Sequence, residues 1–205
     1  MTTTANPRAA DGGLDPGEIV VAGVQRIFVA AVGTSMPDSI EDEPDGFFDL
    51  GYTTEDGLAA SFGKDTDDLQ SSQSLDPVRK LVTAAPKTVT ASLRQFNAET
   101  LILALGGGEI EGDEDAWEFT PAPPSFIDER ALIIEGDDGD TRLRILYYRV
   151  MVSEAVEFTL VNTAGLVFPL TFAVLAADPT FKVQGSAPGF GNGASPLRQA
   201  SVDVA

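Results

Sequence analysis

Between Thr88 and Arg94 the chain alternates: Thr88, Thr90, Ser92 and Arg94 fall on one side of the pattern, and Val89, Ala91 and Leu93 on the other. A period of two is that of a β-strand, so this segment predicts a strand with one buried and one wet face. Leu166, Phe168, Leu170, Phe172 and Val174 mark a second, bulkier face at the same period. Pro169 sits inside it and restricts that strand to a sheet edge or a bulge, because proline lacks the N–H a ladder needs. Further strands are predicted at residues 24–32, 57–62, 142–152 and 156–161.

One stretch has the spacing of a helix. Asn97 is placed to cap it, Glu99 suits its positive end, Leu101, Ile102 and Leu105 form an apolar stripe, and Gly106 to Gly108 stop it. Many strands and a single short helix predict a mainly β protein, an antiparallel β-sandwich or barrel with the helix packed on its flank. No internal repeat or heptad pattern is present, which excludes solenoids and coiled coils.

The ends read differently. Residues 1–17 lack periodicity and are rich in Thr, Ala, Gly and Pro; residues 185–205 are rich in Gly and Pro. Both are expected to be flexible, leaving one folded domain over 18–184. The N-terminal stretch has no apolar run of signal-peptide length, and the apolar run near Leu166 is too short to span a bilayer, so no membrane anchor is expected.

Charge changes the picture more than composition does. Thirteen Lys and Arg face 32 Asp and Glu, a net charge of −19 in 205 residues. That argues against a surface that grips phosphates or anionic lipid. The chain has neither His nor Cys. Imidazole bases, Ser-His and Cys-His pairs, disulfides and thiolate or imidazole metal sites are therefore excluded. The acids are sorted by region: from Met36 to Gly63 there are eight and no Lys or Arg, whereas between Lys64 and Phe96 five cations meet four acids.

Candidate motifs fall short of their chemistry. Gly57 to Lys64 misses the phosphate-loop spacing and has Asp65 where a magnesium-binding hydroxyl belongs. Gly106 to Gly108 follows a helix instead of opening one, and Gly189, Gly191 and Gly193 lack the strand and helix of a dinucleotide site. Glu135, Asp137, Asp138 and Asp140, and likewise Asp113, Glu114 and Asp115, do not match a calcium loop. A glycosidase carboxylate pair cannot be singled out among so many acids. No catalytic residue, metal ligand or cofactor is assigned, and an enzyme is not expected. The reading from another class is an acidic β-sandwich module that binds calcium or carbohydrate.

From Asp49-Leu50-Gly51-Tyr52-Thr53-Thr54-Glu55-Asp56-Gly57-Leu58 the chain resembles the major tail tube proteins of long-tailed bacteriophages, particularly those of actinobacterial hosts. The likeness continues in order through Phe62, Asp65, Asp68, Asp76-Pro77-Val78-Arg79 and Leu81-Val82-Thr83, the strand from Thr88 to Leu93, and the helix start at Asn97 and Glu99. The resemblance covers about 140 residues, from Val24 to near Leu160. It implies a β-sandwich subunit of the virion, made in the host cytoplasm, that forms six-membered rings stacked into a helical tube.

Such a tube would meet tail tip and tail terminator proteins at its ends. A tape measure protein and then passing DNA would occupy its lumen, without specific DNA binding. An extended loop near residues 34–48 would bridge neighbours, which makes Asp38, Glu41, Asp42, Glu43 and Asp45 candidate inter-subunit residues. The polar face Thr88, Thr90, Ser92 and Arg94 is the candidate lumen wall, since its partner face must point into the subunit core.

Overall fold

The computed structural model describes residues 19–139, 141–160, 162 and 165–187, and the statements below concern these. The expected flexible segment 1–17, residues 188–205 of the expected C-terminal tail, Asp140 and Val161 lie outside them. In chain order the elements are β1 (Val24–Ala31), β2 (Phe48–Asp49), β3 (Thr53–Phe62), β4 (Asp65–Ser71), β5 (Ser74–Ala84), β6 (Lys87–Leu93), α1 (Ala98–Ala104), β7 (Gly108–Gly112), β8 (Trp117–Pro121), β9 (Glu129–Asp137), β10 (Arg142–Val152), β11 (Phe168–Val174) and β12 (Phe181–Ser186). Every strand pair is antiparallel, and with one short helix the fold is mainly β, as the alternations predict.

The main sheet runs β2-β1-β9-β10-β11-β6-β3, with β12 also on β10. β10 is its hinge. Its first half pairs with β12 and its last residues with β11, and its register to β9 breaks between Tyr147 and Val150. A bulge bends a strand, so the sheet turns over on itself. Ile27 and Val29 of β1 and Leu132 and Ile134 of β9 then share one core with Val89, Ala91 and Leu93 of β6 and Phe168, Leu170 and Phe172 of β11. Each Val, Leu, Ile or Phe among them contributes about 1.5–3 kcal/mol of burial.

β1 and β9 are buried on both faces. Phe28, Ile133 and Leu146 point away from that core into a second cluster, closed by Met36, Phe47 and Tyr148. A strand covered on both sides reads as a continuous apolar run, and Ala131 to Ile134 is one.

Asn97 caps α1 as predicted, its Oδ1 accepting the Thr100 N–H at 2.8 Å. The helix buries Leu101, Leu103 and Ala104, whereas Leu105, expected on the buried stripe, is exposed. Gly106 and Gly107, at φ 78 and 100, turn the chain away in the left-handed region that favours glycine. Pro169 is tolerated in β11 for a geometric reason. The Thr171 carbonyl accepts from Ser153 on the β10 side, so the nitrogen of Pro169, two residues earlier, faces the same way, beyond the last β10 pairing.

Two expectations are corrected. Residues 156–160 form no strand: Val156 packs against the core and the Phe158 ring lies 5.1 Å from that of Phe168, while residues 157–160 are exposed, so this stretch is irregular chain held to the core at those two points. Gly185 and Ser186, assigned to the tail, continue β12 opposite Leu143 and Arg142.

Candidate lumen face and assembly surfaces

β6 lies between β3 and β11. Thr90 stands opposite Ala59 and Thr171, Thr88 opposite Ser61 and Ala173, and Ser92 opposite Pro169. Directly opposed residues share a face. With Val89, Ala91 and Leu93 buried, Thr88, Thr90 and Ser92 therefore belong to one outward face of hydroxyl and small side chains. Arg94 follows one residue past the strand end, exposed, its N–H donating to the Tyr52 carbonyl at 2.8 Å.

The charges around this face are mostly engaged. The Thr171 hydroxyl donates to Glu154 Oε2 at 3.0 Å. Glu129 accepts a two-pronged bond from Arg149, Nε to Oε2 at 2.7 Å and Nη2 to Oε1 at 2.6 Å. Those hydrogen bonds hold the Glu129 carboxyl below its usual range and raise Arg149. Ala59, Ser61, Thr171 and Ala173 were missed as members of the face. Their place on the face is set by the register of β3 and β11 against β6, which no local pattern encodes.

The acidic loop is not the extended projection that was expected. It folds back over the outer face of its own sheet, where Met36 and Phe47 cover Phe28, Ile133 and Leu146. Gln184 Nε2 donates to the Pro37 carbonyl at 2.9 Å, and Arg144 Nη1 donates to the carbonyls of Ser39 and Asp42 at 2.9 and 2.8 Å. Arg144 is only 1% exposed and its Nε also donates to Glu135. Asp38, Glu41, Asp42, Glu43 and Asp45 are all exposed on this tethered cover.

The part that does project is the hairpin arm of β4 and β5. Gly63 N–H donates to the Pro86 carbonyl at 2.8 Å where β3 and β6 pass into it. Beyond that point its strands pair with each other and make no sizeable contact with any other element. At about 3.3 Å per residue, the seven residues of β4 reach about 23 Å. Leu69, Val78, Leu81 and Val82 are exposed along it. The sequence signal was weak because apolar residues fall on both faces of β5.

The acid clusters are spoken for as well. Glu135 is held by Arg144, Asp137 Oδ1 accepts the Gly139 N–H at 2.6 Å, and Asp138 Oδ2 accepts the Val21 N–H at 2.9 Å. Asp113 Oδ1 accepts from the N–H groups of Asp115 and Ala116, closing the β7–β8 turn. Among the described residues no three or more acids converge as a metal site, and no helix is long and apolar enough to cross a membrane.

A two-layer antiparallel subunit with a projecting hairpin and a hydroxyl-rich outer face has the makings of an assembly subunit. Residues 12–183 match the model of a protein family described as phage tail tube protein. The chain belongs to that family, and its role is structural, as part of a tail tube, and not enzymatic. No curated protein matches it. Among solved structures it is similar to a chain of the sheath–tube complex of an extracellular contractile injection system, PVC, in the extended state: 9% identity, TM-score 0.43, 91% of this chain and 99% of that one. It is also similar to a chain of the virion of a native gene transfer agent particle: 12% identity, TM-score 0.35, 69% of this chain and 89% of that one.

Proposed function

We propose that copies of this chain close into six-membered rings, that the rings stack into a helical tube, and that the tube conducts DNA into the host. The outer face of β3, β6 and β11 lines the lumen, with Thr88, Thr90 and Ser92 at its centre and Arg94 at one end. The observation that carries this reading is that face: hydroxyl and small side chains along the paired strands, with Arg94 just past the end of β6, in a chain of net charge −19.

A duplex carries one negative charge per about 1.7 Å of its axis, so a cationic wall would hold it. A wall of hydroxyls backed by net negative charge repels phosphates within a Debye length of about 8 Å at physiological salt and keeps the DNA moving. The exposed acids Asp38, Glu41, Asp42, Glu43 and Asp45 meet neighbouring subunits from a rigid cover. A tape measure protein precedes the DNA in the lumen, tip and terminator proteins cap the tube, and the subunit reaches the virion from the host cytoplasm.

Negative-stain electron microscopy of the purified chain at rising concentration tests the proposal. Hollow rings or tubes with a central channel are expected. Dispersed monomers at every concentration, with a tail-tip seed present, would refute it.

A further inference from the structure

A cleft of about 750 Å³ opens at the side of the sandwich, between the start of β1 and the start of β3. β2 pairs with β1 only at Phe28 and Val29, so residues 24–26 have no strand beside them on that edge. Across the cleft β3 swells away from its own sheet. Thr53 pairs with Leu93 and Leu58 with Ala91, which leaves residues 54–57 against Ser92 alone, a wide bulge. A glutamine pins each end of it. Gln95 Oε1 accepts the Tyr52 N–H at 3.4 Å, and Gln25 Oε1 accepts the Leu58 N–H at 2.9 Å. Each glutamine lies against a glycine in the left-handed region, Gly51 at φ 83 and Gly57 at φ 73, where any Cβ would collide with it. The cleft is held in shape before anything enters it, and a site that is already ordered loses less entropy on binding.

The groups left over in this cleft are hydrogen-bonding ones. With both glutamine oxygens engaged, the two amide nitrogens have no partner among the described residues and remain as donors. Thr54 Oγ1 is buried without a hydrogen-bond partner, a cost that a bound hydroxyl would remove. Glu55, exposed and in no ion pair among the described residues, is an acceptor. Tyr52 stands out at the rim, 80% exposed, on a backbone fixed at both its N–H and its carbonyl, the latter accepting from the Arg94 N–H at 2.8 Å. Arg26 is the one cation on the lining, and it already faces Asp49 at 3.6 Å. Glu55 then leaves the cleft net negative, which disfavours an anionic ligand.

We propose that this cleft binds a short neutral oligosaccharide. A sugar hydroxyl donates and accepts at once, which suits walls that offer amide donors beside carboxylate and hydroxyl acceptors. The ring of Tyr52, apolar on its faces and polar at its tip, provides the platform for a sugar ring. The volume lies within the range of about 300–1,000 Å³ of small-ligand sites. The binding adds an activity to the structural role of the subunit and does not depend on it.

An array of neutral hexose and pentose oligosaccharides, with uronic-acid oligomers beside them, is probed with the labelled full-length chain below the concentration at which it assembles. The oligosaccharide retained most strongly is then titrated calorimetrically against the chain and three variants. Tyr52→Ala, at an exposed position, should weaken binding about tenfold. Thr54→Val, which keeps the shape and loses the hydroxyl, should weaken it several-fold. Phe126→Ala, an exposed aromatic outside the cleft lining, should leave it unchanged, and all three should melt near the parent chain. Retention of no neutral oligosaccharide above a heat-denatured control would overturn the proposal. So would retention of the uronic-acid oligomers alone, or binding that folded Tyr52→Ala and Thr54→Val leave untouched.

Discussion

Arg144 is nearly out of water, and three hydrogen-bond partners explain how a charge survives there: the Glu135 carboxylate and the carbonyls of Ser39 and Asp42 in the loop that closes over it. Removing one partner of a buried pair leaves the other uncompensated, at about 3–5 kcal/mol. Arg144→Met is therefore expected to lower stability by about 3 kcal/mol in urea unfolding. It should also raise hydrogen exchange across residues 36–47, while Glu41→Gln, at an exposed position, leaves both unchanged. Tyr147 is the opposite case. Its ring is buried, its hydroxyl has no hydrogen-bond partner among the described residues, and burial pushes it up to about 12 from 10.0. A pKa raised in the folded state gives stability that is whole below pH 10 and is lost as pH rises toward 12. Tyr147→Phe should keep or slightly raise the thermal midpoint at neutral pH, since an orphan polar atom is removed. It should also flatten the loss of stability between pH 10 and 12, measured by thermal melts across that range.

Among the elements, those with one wet face were legible and those without one were not. β6 announced itself because Thr88, Thr90 and Ser92 stay in water while Val89, Ala91 and Leu93 do not. The cap at Asn97 was legible because its chemistry is local. β9 was hidden by the loop that covers its second face, a long-range contact that leaves no periodic trace in residues 129–137. The candidate wall residues were found through β6 alone; their neighbours on β3 and β11 needed the register. The arm was not legible as a projection, because its exposed valines and leucines signal burial that the single subunit does not supply. Replacing residues 65–84 with an Asn-Gly turn tests that account. The body should keep its thermal midpoint by circular dichroism, since the arm contributes nothing to its core, and assembly should be lost by light scattering. A variant that still polymerises would show that the arm is dispensable.

At the scale of the molecule, one sandwich serves two ends. The inner core of β1, β6, β9 and β11 fixes a hydroxyl face on one side, and the tethered acidic loop seals the other. Function then depends on which face turns inward when copies assemble, and the assembled particle answers this directly. A cryo-electron microscopy map of tubes grown from the purified chain, at a resolution that traces strands, is predicted to place Thr88, Thr90 and Ser92 around the channel and the 36–47 loop away from it. A channel lined instead by the acidic loop or by the hairpin arm, with β6 on the outside, would contradict the account.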